Sequence, residues 1–320
     1  MIHRIVTLLM AACLGYAARV SALQFNENVE TLEITASGVR VLPLPEYVPV
    51  DVSLATAPAG TRAQVEIDRG PEPERVRVRA KVPQDGVPLR ETIAVADPAR
   101  HFAWALRRVL AMEGIDVSAS TPRAANRSPQ PESLSLLWTH RSPPLAEILK
   151  PMLKVSQNLY AETVARVLGD SSFAAGKRAV EETLTTMGIE PGTYVYADGS
   201  GLSRYNLVSA GALTRLLVFM SRHPSFSAFY DALPVAGVDG TLARRLGARG
   251  NVHAKTGSIA NVRSLSGYVR AADGERLAFS MIANNFLGGS DAADRLQDSA
   301  LVALAAFSRG STSEKSSPSR

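Results

Sequence analysis

At Asp97-Pro98 the hydrophobic periodicity of the chain changes from two to between three and four, so strands are expected before this point and helices after it. Upstream, "VETLEITASGVRVLPLPE", "AQVEIDRG", "RVRVRAKVP" and "ETIAVAD" alternate apolar and polar residues between Gly, Pro and Asp clusters. This pattern predicts short antiparallel strands, each with one buried face. In the third run Arg75, Arg77, Arg79 and Lys81 fall on one face of a strand. That face reads as solvated, with a polyanion-binding stripe as the second reading.

Downstream, Phe102, Leu106, Val109 and Leu110 step by three or four residues, and Gly114 stands where a left-handed helix cap belongs. The Pro/Ser/Asn-rich passage "STPRAANRSPQPES" reads as a loop or linker. Further apolar-periodic stretches follow, marked by Leu145 to Met152, Leu159 to Leu168, Val180 to Met187 and Leu213 to Met220, and are expected to pack as helices on a common core. Strands return at Asn251 with "NVHAKTGS", "VRSLSGYVRA" and "RLAFSMIANN", the last two joined by a hairpin through "AADGE". A closing helix over residues 291–307 and a polar, disordered tail over 308–320 complete an α+β arrangement. The expected boundaries are a signal-like or truncated segment 1–22, a β-rich portion 23–96 and a mixed portion 97–307.

With 46% hydrophobic and 20% charged residues the chain is globular, and its net charge of +5 is scattered, without a Lys/Arg block or a nucleic-acid-reading motif. Nucleic acid is therefore not an expected partner. Cys13 is the single cysteine and the five histidines are isolated, so no metal site and no internal disulfide are expected. Near the N-terminus, "IVTLLMAACLGYAA" after His3-Arg4 has the shape of a secretory signal, and equally of an apolar element at a truncated end.

Two short segments carry candidate chemistry. In "HAKTGSIAN", Lys255 and the Thr256 hydroxyl suit a substrate carboxylate, Gly257 lets substrate approach the strand edge, and the Ser258 N–H suits an oxyanion. In "KVSQNLYAETVAR", Ser156 and Asn158 stand at the mouth of a helix, where both side chains reach a cleft if the turn is non-helical; the ordinary use of such a serine is as an N-cap. "DGSGLSR" adds Asp198 and Arg204, read either as an ion pair shaping the cleft or as a Gly-rich turn with an ordinary surface pair.

Ser-x-Asn followed about a hundred residues later by Lys-Thr-Gly resembles two of the three motifs of penicillin-binding proteins and serine β-lactamases. The wider chain resembles the C-terminal two-thirds of a class C low-molecular-mass D-alanyl-D-alanine carboxypeptidase/endopeptidase, through "ALQFNENV", "VADPARHFAWALRRVLAMEGI", "SPPLAEILKPMLKVSQNLYAE", "VYADGSGLSRYNLVS" and "LPVAGVDGTLARR". The resemblance implies an incomplete serine β-lactamase/transpeptidase-like domain with part of a β-rich insertion domain. It also implies extracytoplasmic action on peptidoglycan stem peptides, affinity for β-lactams, and no cofactor. By the same resemblance Ser156 would pass a proton to the departing D-alanine, and Asn158 would hold the peptide chain. Lys255 would set the positive field, Thr256 would meet the terminal carboxylate, and Ser258 would face the oxyanion.

The third motif, Ser-x-x-Lys, is absent: no serine in the sequence precedes a lysine by three positions, and in "STSEK" only Thr312 has that spacing to Lys315. The chain alone is therefore expected not to form an acyl-enzyme, either because an N-terminal half is missing or because it is a remnant that binds peptidoglycan peptides without catalysis.

Overall fold

Val29–Thr35 forms strand β1, in which every second residue (Glu30, Leu32, Ile34) is buried, as its period of two requires. The computed structural model describes residues 14–44, 46–69, 72, 74–117, 135, 138–247, 250–287 and 289–309. Most of the signal-like run, the "STPRAANRSPQPES" passage, "STSEK" and the tail beyond 309 lie outside the described residues. The chain divides into two units, Met1–His140 and Arg141–Arg320.

In the first unit β1 pairs antiparallel with β2 (Gly38–Leu42) and β6 (Leu89–Ala94). A second sheet has the order β3-β5-β4, with β3 at Val50–Ala57, β4 at Gln64–Arg69 and β5 at Val76–Pro83. Here β3 and β5 run parallel, from Val50↔Val76 to Ala57↔Pro83, which corrects the all-antiparallel expectation. The returning strand β4 lies on the far side of β5, so β3 and β5 become neighbours pointing the same way; alternation within each strand holds no information on direction. Leu32, Ile34 and Ile93 of one sheet and Ile67, Val76 and Val78 of the other share one core.

The three arginines of the basic face are compensated by carboxylates of β3 and β4: Arg75, just before β5, pairs with Asp51 at 2.7 Å, Arg77 with Asp68 at 2.8 Å, and Arg79 with Asp68 at 3.0 Å. Residues 14–22, inside the signal-like stretch, are built into this unit. Leu14 bridges Ile93, and the Arg19 carbonyl accepts from Asn28 Nδ2 at 2.8 Å.

Helix α1 (Pro98–Met112) begins where expected: the Asp97 carboxylate accepts the Arg100 N–H at 3.0 Å, and Pro98 occupies the first turn. It is tied to the β-rich unit by Tyr47 Oη donating to the Asp97 carbonyl (3.0 Å), by Arg100–Glu74 (2.7 Å) and by the fully buried His101–Glu30 contact (2.6 Å). The helix therefore groups with the first unit, although its periodicity assigned it to the portion starting at 97. Its apolar stripe is only partly covered, since Leu106 and Val109 are exposed.

The second unit opens with helices α2 (Leu145–Lys154), α3 (Asn158–Val167) and α4 (Phe173–Thr186), then the short pair β7 (Tyr194–Val195) and β8 (Leu207–Val208). Helices α5 (Ala210–Met220) and α6 (Phe226–Ala232) follow, then an antiparallel sheet of order β11-β10-β9, and α7 (Ser290–Ala306). In this sheet β9 spans Val252–Ile259, β10 Val262–Arg270 and β11 Arg276–Asn284. The "AADGE" hairpin forms, closed by the Ala271 N–H on the Glu275 carbonyl at 2.8 Å, with Gly274 at φ +86°.

Strand β10 is covered on both faces. Leu265 and Val269 cluster with Leu301 of α7, while Tyr268 on the other face packs with Leu217 and Leu233 and donates its hydroxyl to the Leu217 carbonyl at 2.7 Å. Each such fully buried apolar side chain stabilises the unit by roughly 1.5–3 kcal/mol. The common-core expectation holds only in part, because Leu145, Val167 and Leu168 are exposed.

Candidate active site

Helix α2 ends in a left-handed turn at Ser156 (φ +62°), with the Gln157 N–H closing on the Met152 carbonyl at 3.1 Å. This is the hydrogen-bond pattern of a Schellman cap, in which glycine is the usual occupant of the left-handed position. A serine there accepts backbone strain of about 1 kcal/mol. The N-cap of α3 is Gln157, whose side chain accepts the Leu159 N–H at 3.2 Å, so Ser156 does not serve as the cap. Its hydroxyl is exposed and accepts a hydrogen bond from Lys255 Nζ at 2.8 Å. Asn158 is the first residue of α3, two positions beyond this contact.

Strand β9 forms one edge of its sheet. Its inner side pairs with β10 in the register Lys255↔Ser266, Thr256↔Leu265, Gly257↔Ser264 and Ser258↔Arg263. On the outer side the Ala254 N–H donates to the Pro234 carbonyl (2.9 Å) and the Ala236 N–H donates to the Val252 carbonyl (3.0 Å). Because backbone groups alternate along a strand, the N–H groups of Thr256 and Ser258 lie on that same outer edge, beyond the stretch that Pro234 to Ala236 covers. Ser258 also borders an open depression of about 350 Å³ with Asn261, Arg263, Phe286 and Ser290.

The same alternation sends Lys255 and Thr256 to opposite faces. Lys255 reaches Ser156 and also donates to the Thr256 carbonyl at 2.8 Å, whereas the Thr256 hydroxyl donates to the Thr241 hydroxyl at 2.8 Å. A Cβ on Gly257 would meet Ser264 Oγ at 2.2 Å, so the absent side chain makes room for the neighbouring strand as well as for anything approaching the edge.

Burial pushes the Lys255 ammonium down from 10.5 to about 8. It stays mostly protonated at neutral pH. His253, on the same face of β9, stacks on Tyr230 with ring centres 3.9 Å apart, and burial lowers its pKa. Among the described residues no group of three His, Cys, Asp or Glu side chains is arranged to hold a metal ion.

Asp198 and Arg204 do not pair. Asp198 Oδ1 accepts the Gly201 N–H (2.7 Å) and Asn206 Nδ2 (2.8 Å), and Oδ2 accepts the Ser203 N–H at 2.6 Å. Both carboxylate oxygens hold the turn that follows, an Asx-type arrangement that leaves Arg204 exposed outside it. That turn is anchored to α3 by Glu162, whose Oε1 accepts from the Gly199 N–H, the Ser200 N–H and Ser200 Oγ. Burial raises the Glu162 carboxyl, but hydrogen bonds from Arg166 and Ser200 outweigh it and leave the pKa lowered. Glu162, Lys154, Asp239 and Thr241 all lie in quoted segments yet carry no sequence signal of their roles; no spacing rule links residues whose partners are 15 to 85 positions away.

The model of the D-Ala-D-Ala carboxypeptidase 3 (S13) family matches residues 12–307. The chain belongs to that family. Among similar proteins, a D-alanyl-D-alanine carboxypeptidase of an Actinomadura species is 33% identical over 92% of this chain and 58% of the relative. A D-alanyl-D-alanine carboxypeptidase DacB of Haemophilus influenzae is 34% identical over 63% of this chain and 44% of the relative. The chain thus spans about half the length of these relatives. The crystal structure of penicillin binding protein 4 from Haemophilus influenzae superposes with a TM-score of 0.72 at 25% identity, covering 92% of this chain and 70% of that one. A form of it complexed with a novel β-lactam gives a TM-score of 0.69 at 27% identity, covering 86% of this chain and 66% of that one. The chain therefore has the mixed helix-and-sheet fold of penicillin binding protein 4, in keeping with the α+β expectation.

Proposed function

We propose that this S13 chain holds the D-alanyl-D-alanine end of peptidoglycan stem peptides outside the cytoplasm, as the substrate-binding part of a serine-type carboxypeptidase/endopeptidase. The observation that supports this reading is the 2.8 Å hydrogen bond from Lys255 to Ser156, beside a sheet edge whose Thr256 and Ser258 N–H groups bear no backbone hydrogen bond on the outer side among the described residues. The Thr256 hydroxyl meets the terminal carboxylate, and the Lys255 ammonium supplies the positive field that attracts it. The Ser258 N–H receives the oxygen of the scissile carbonyl, Asn158 the peptide amides, and Ser156, fed by Lys255, passes a proton toward the leaving D-alanine. β-Lactams, as mimics of the same terminus, enter the same groove.

Acyl transfer also needs an activated nucleophile, and these 320 residues contain no Ser-x-x-Lys. The chain by itself therefore binds without acylating, and a polypeptide supplying that motif is the partner this reading implies. Incubation with a fluorescent penicillin, followed by denaturing electrophoresis and by equilibrium binding, tests both halves. Saturable, reversible binding with no retained label is expected. A stable covalent adduct contradicts the non-acylating part, and absence of binding contradicts the site.

A further inference from the structure

The segment "LPVAGVDGTL" (residues 233–242) lies between the Ser156 turn and β9 and touches both. Lys154, the last residue of α2 and two positions before Ser156, donates from Nζ to Asp239 Oδ2 at 2.6 Å and to the Leu233 carbonyl at 2.9 Å. The other oxygen of Asp239 accepts the Val235 N–H at 2.9 Å, and Val235 forms the β-bridge to His253. A continuous path therefore runs from the end of α2, through one carboxylate, to the strand that holds Lys255.

Two further contacts fix the same segment independently. Gly240, at φ +58°, lies so close to the Lys154 carbonyl that a Cβ would sit 2.4 Å from its oxygen. The next residue, Thr241, accepts the Thr256 hydroxyl at 2.8 Å. The glycine brings the loop onto the helix end and the threonine ties it to the Lys-Thr-Gly strand. Neither Ser156 nor Lys255 is linked to the other by chain proximity, so something must set their separation.

We propose that Lys154 and Asp239 are positioning residues: their ion pair, seated by Gly240, holds the Ser156 turn at hydrogen-bonding distance from Lys255 and thereby sets the width of the substrate groove. This deepens the function proposed above and rests on that reading of Ser156 and Lys255. The pair is partly exposed, with side-chain accessibilities of 22% and 37%, so its contribution to global stability is small beside its effect on local geometry. Releasing it lets the turn move away, and Lys255 regains water.

The test uses the full chain and three variants, Asp239→Asn, Lys154→Met and Gly240→Ala, the last of which keeps both charged groups and displaces the helix end sterically. Lys255 is followed by NMR of carbon-13-labelled lysine side chains, assigned by loss of its signal in Lys255→Arg, with thermal unfolding as the control for folding. Wild type should titrate near 8, and folded variants should move by a unit or more toward 10.5. Should Asp239→Asn fail to fold, Lys154→Met and Gly240→Ala decide. Folded variants whose Lys255 titration stays at the wild-type value overturn the proposal. Binding of a peptide ending in D-Ala-D-Ala to wild type separates the two readings. If the titration moves but wild type binds no peptide, the clamp stands and the substrate assignment falls; if wild type binds and the variants match it in titration and affinity, the clamp falls and the assignment stands.

Discussion

Lys255 Nζ donates to Ser156 Oγ over 2.8 Å, joining a sheet edge to a helix end 99 residues away in sequence. The serine is held in a left-handed conformation and the lysine is desolvated, two unfavourable local states that the fold accepts at one contact. This contact is the one on which the proposed roles of Ser156 and Lys255 rest.

With burial lowering the Lys255 pKa to about 8, the proposed binding should be confined to the pH range in which the ammonium is charged. A terminal carboxylate selects the charged ammonium, so affinity for a D-Ala-D-Ala peptide should be flat below pH 7 and fall by up to about tenfold per pH unit above 8. Calorimetry between pH 6.5 and 9.5 measures this, and Lys255→Arg, which stays charged, should flatten the profile. The stability effect has the opposite sense. Because the folded pKa is depressed, the unfolded chain binds the extra proton between about 8 and 10.5, and this group adds stability as pH rises through that window. Subtracting the urea-unfolding free energy of Lys255→Met isolates the rise; a difference that falls with pH would count against desolvation.

Ser156→Gly should stabilise the protein by about 1 kcal/mol, because glycine adopts the left-handed position without the Cβ penalty. The same change removes the hydroxyl that Lys255 holds, so peptide binding should weaken while the melting temperature rises. A destabilised Ser156→Gly protein would show that the turn depends on the side chain rather than merely tolerating it.

Gly257→Ala should destabilise the second unit, since its Cβ meets Ser264 Oγ at 2.2 Å. With Ser264 shortened the nearest obstacle is gone, and Gly257→Ala/Ser264→Ala should recover most of the loss in chemical denaturation. Additive losses would place the constraint away from Ser264.

Much of this was legible in the sequence. The Lys-Thr-Gly strand and the Ser-x-Asn turn were readable because each is a local pattern, one of period two and one at a helix mouth, and the "AADGE" hairpin announced itself by its turn residues. Three features were not. The parallel pairing of β3 with β5 depends on the path of β4, which alternation does not encode. Asp198 has a nearby arginine in sequence, yet backbone N–H groups three and five positions on satisfy its carboxylate first. Lys154 and Asp239 meet across 85 residues, and nothing in either segment names the other.

The most direct test of the account follows backbone amide shifts of the full chain by NMR during addition of a peptide ending in D-Ala-D-Ala. Saturable shifts should centre on Thr256, Gly257 and Ser258, extend to Ser156 and Asn158, and be lost both with the C-terminally amidated peptide and in Lys255→Met. Shifts scattered elsewhere, or equal responses to the free and amidated peptides, would contradict it.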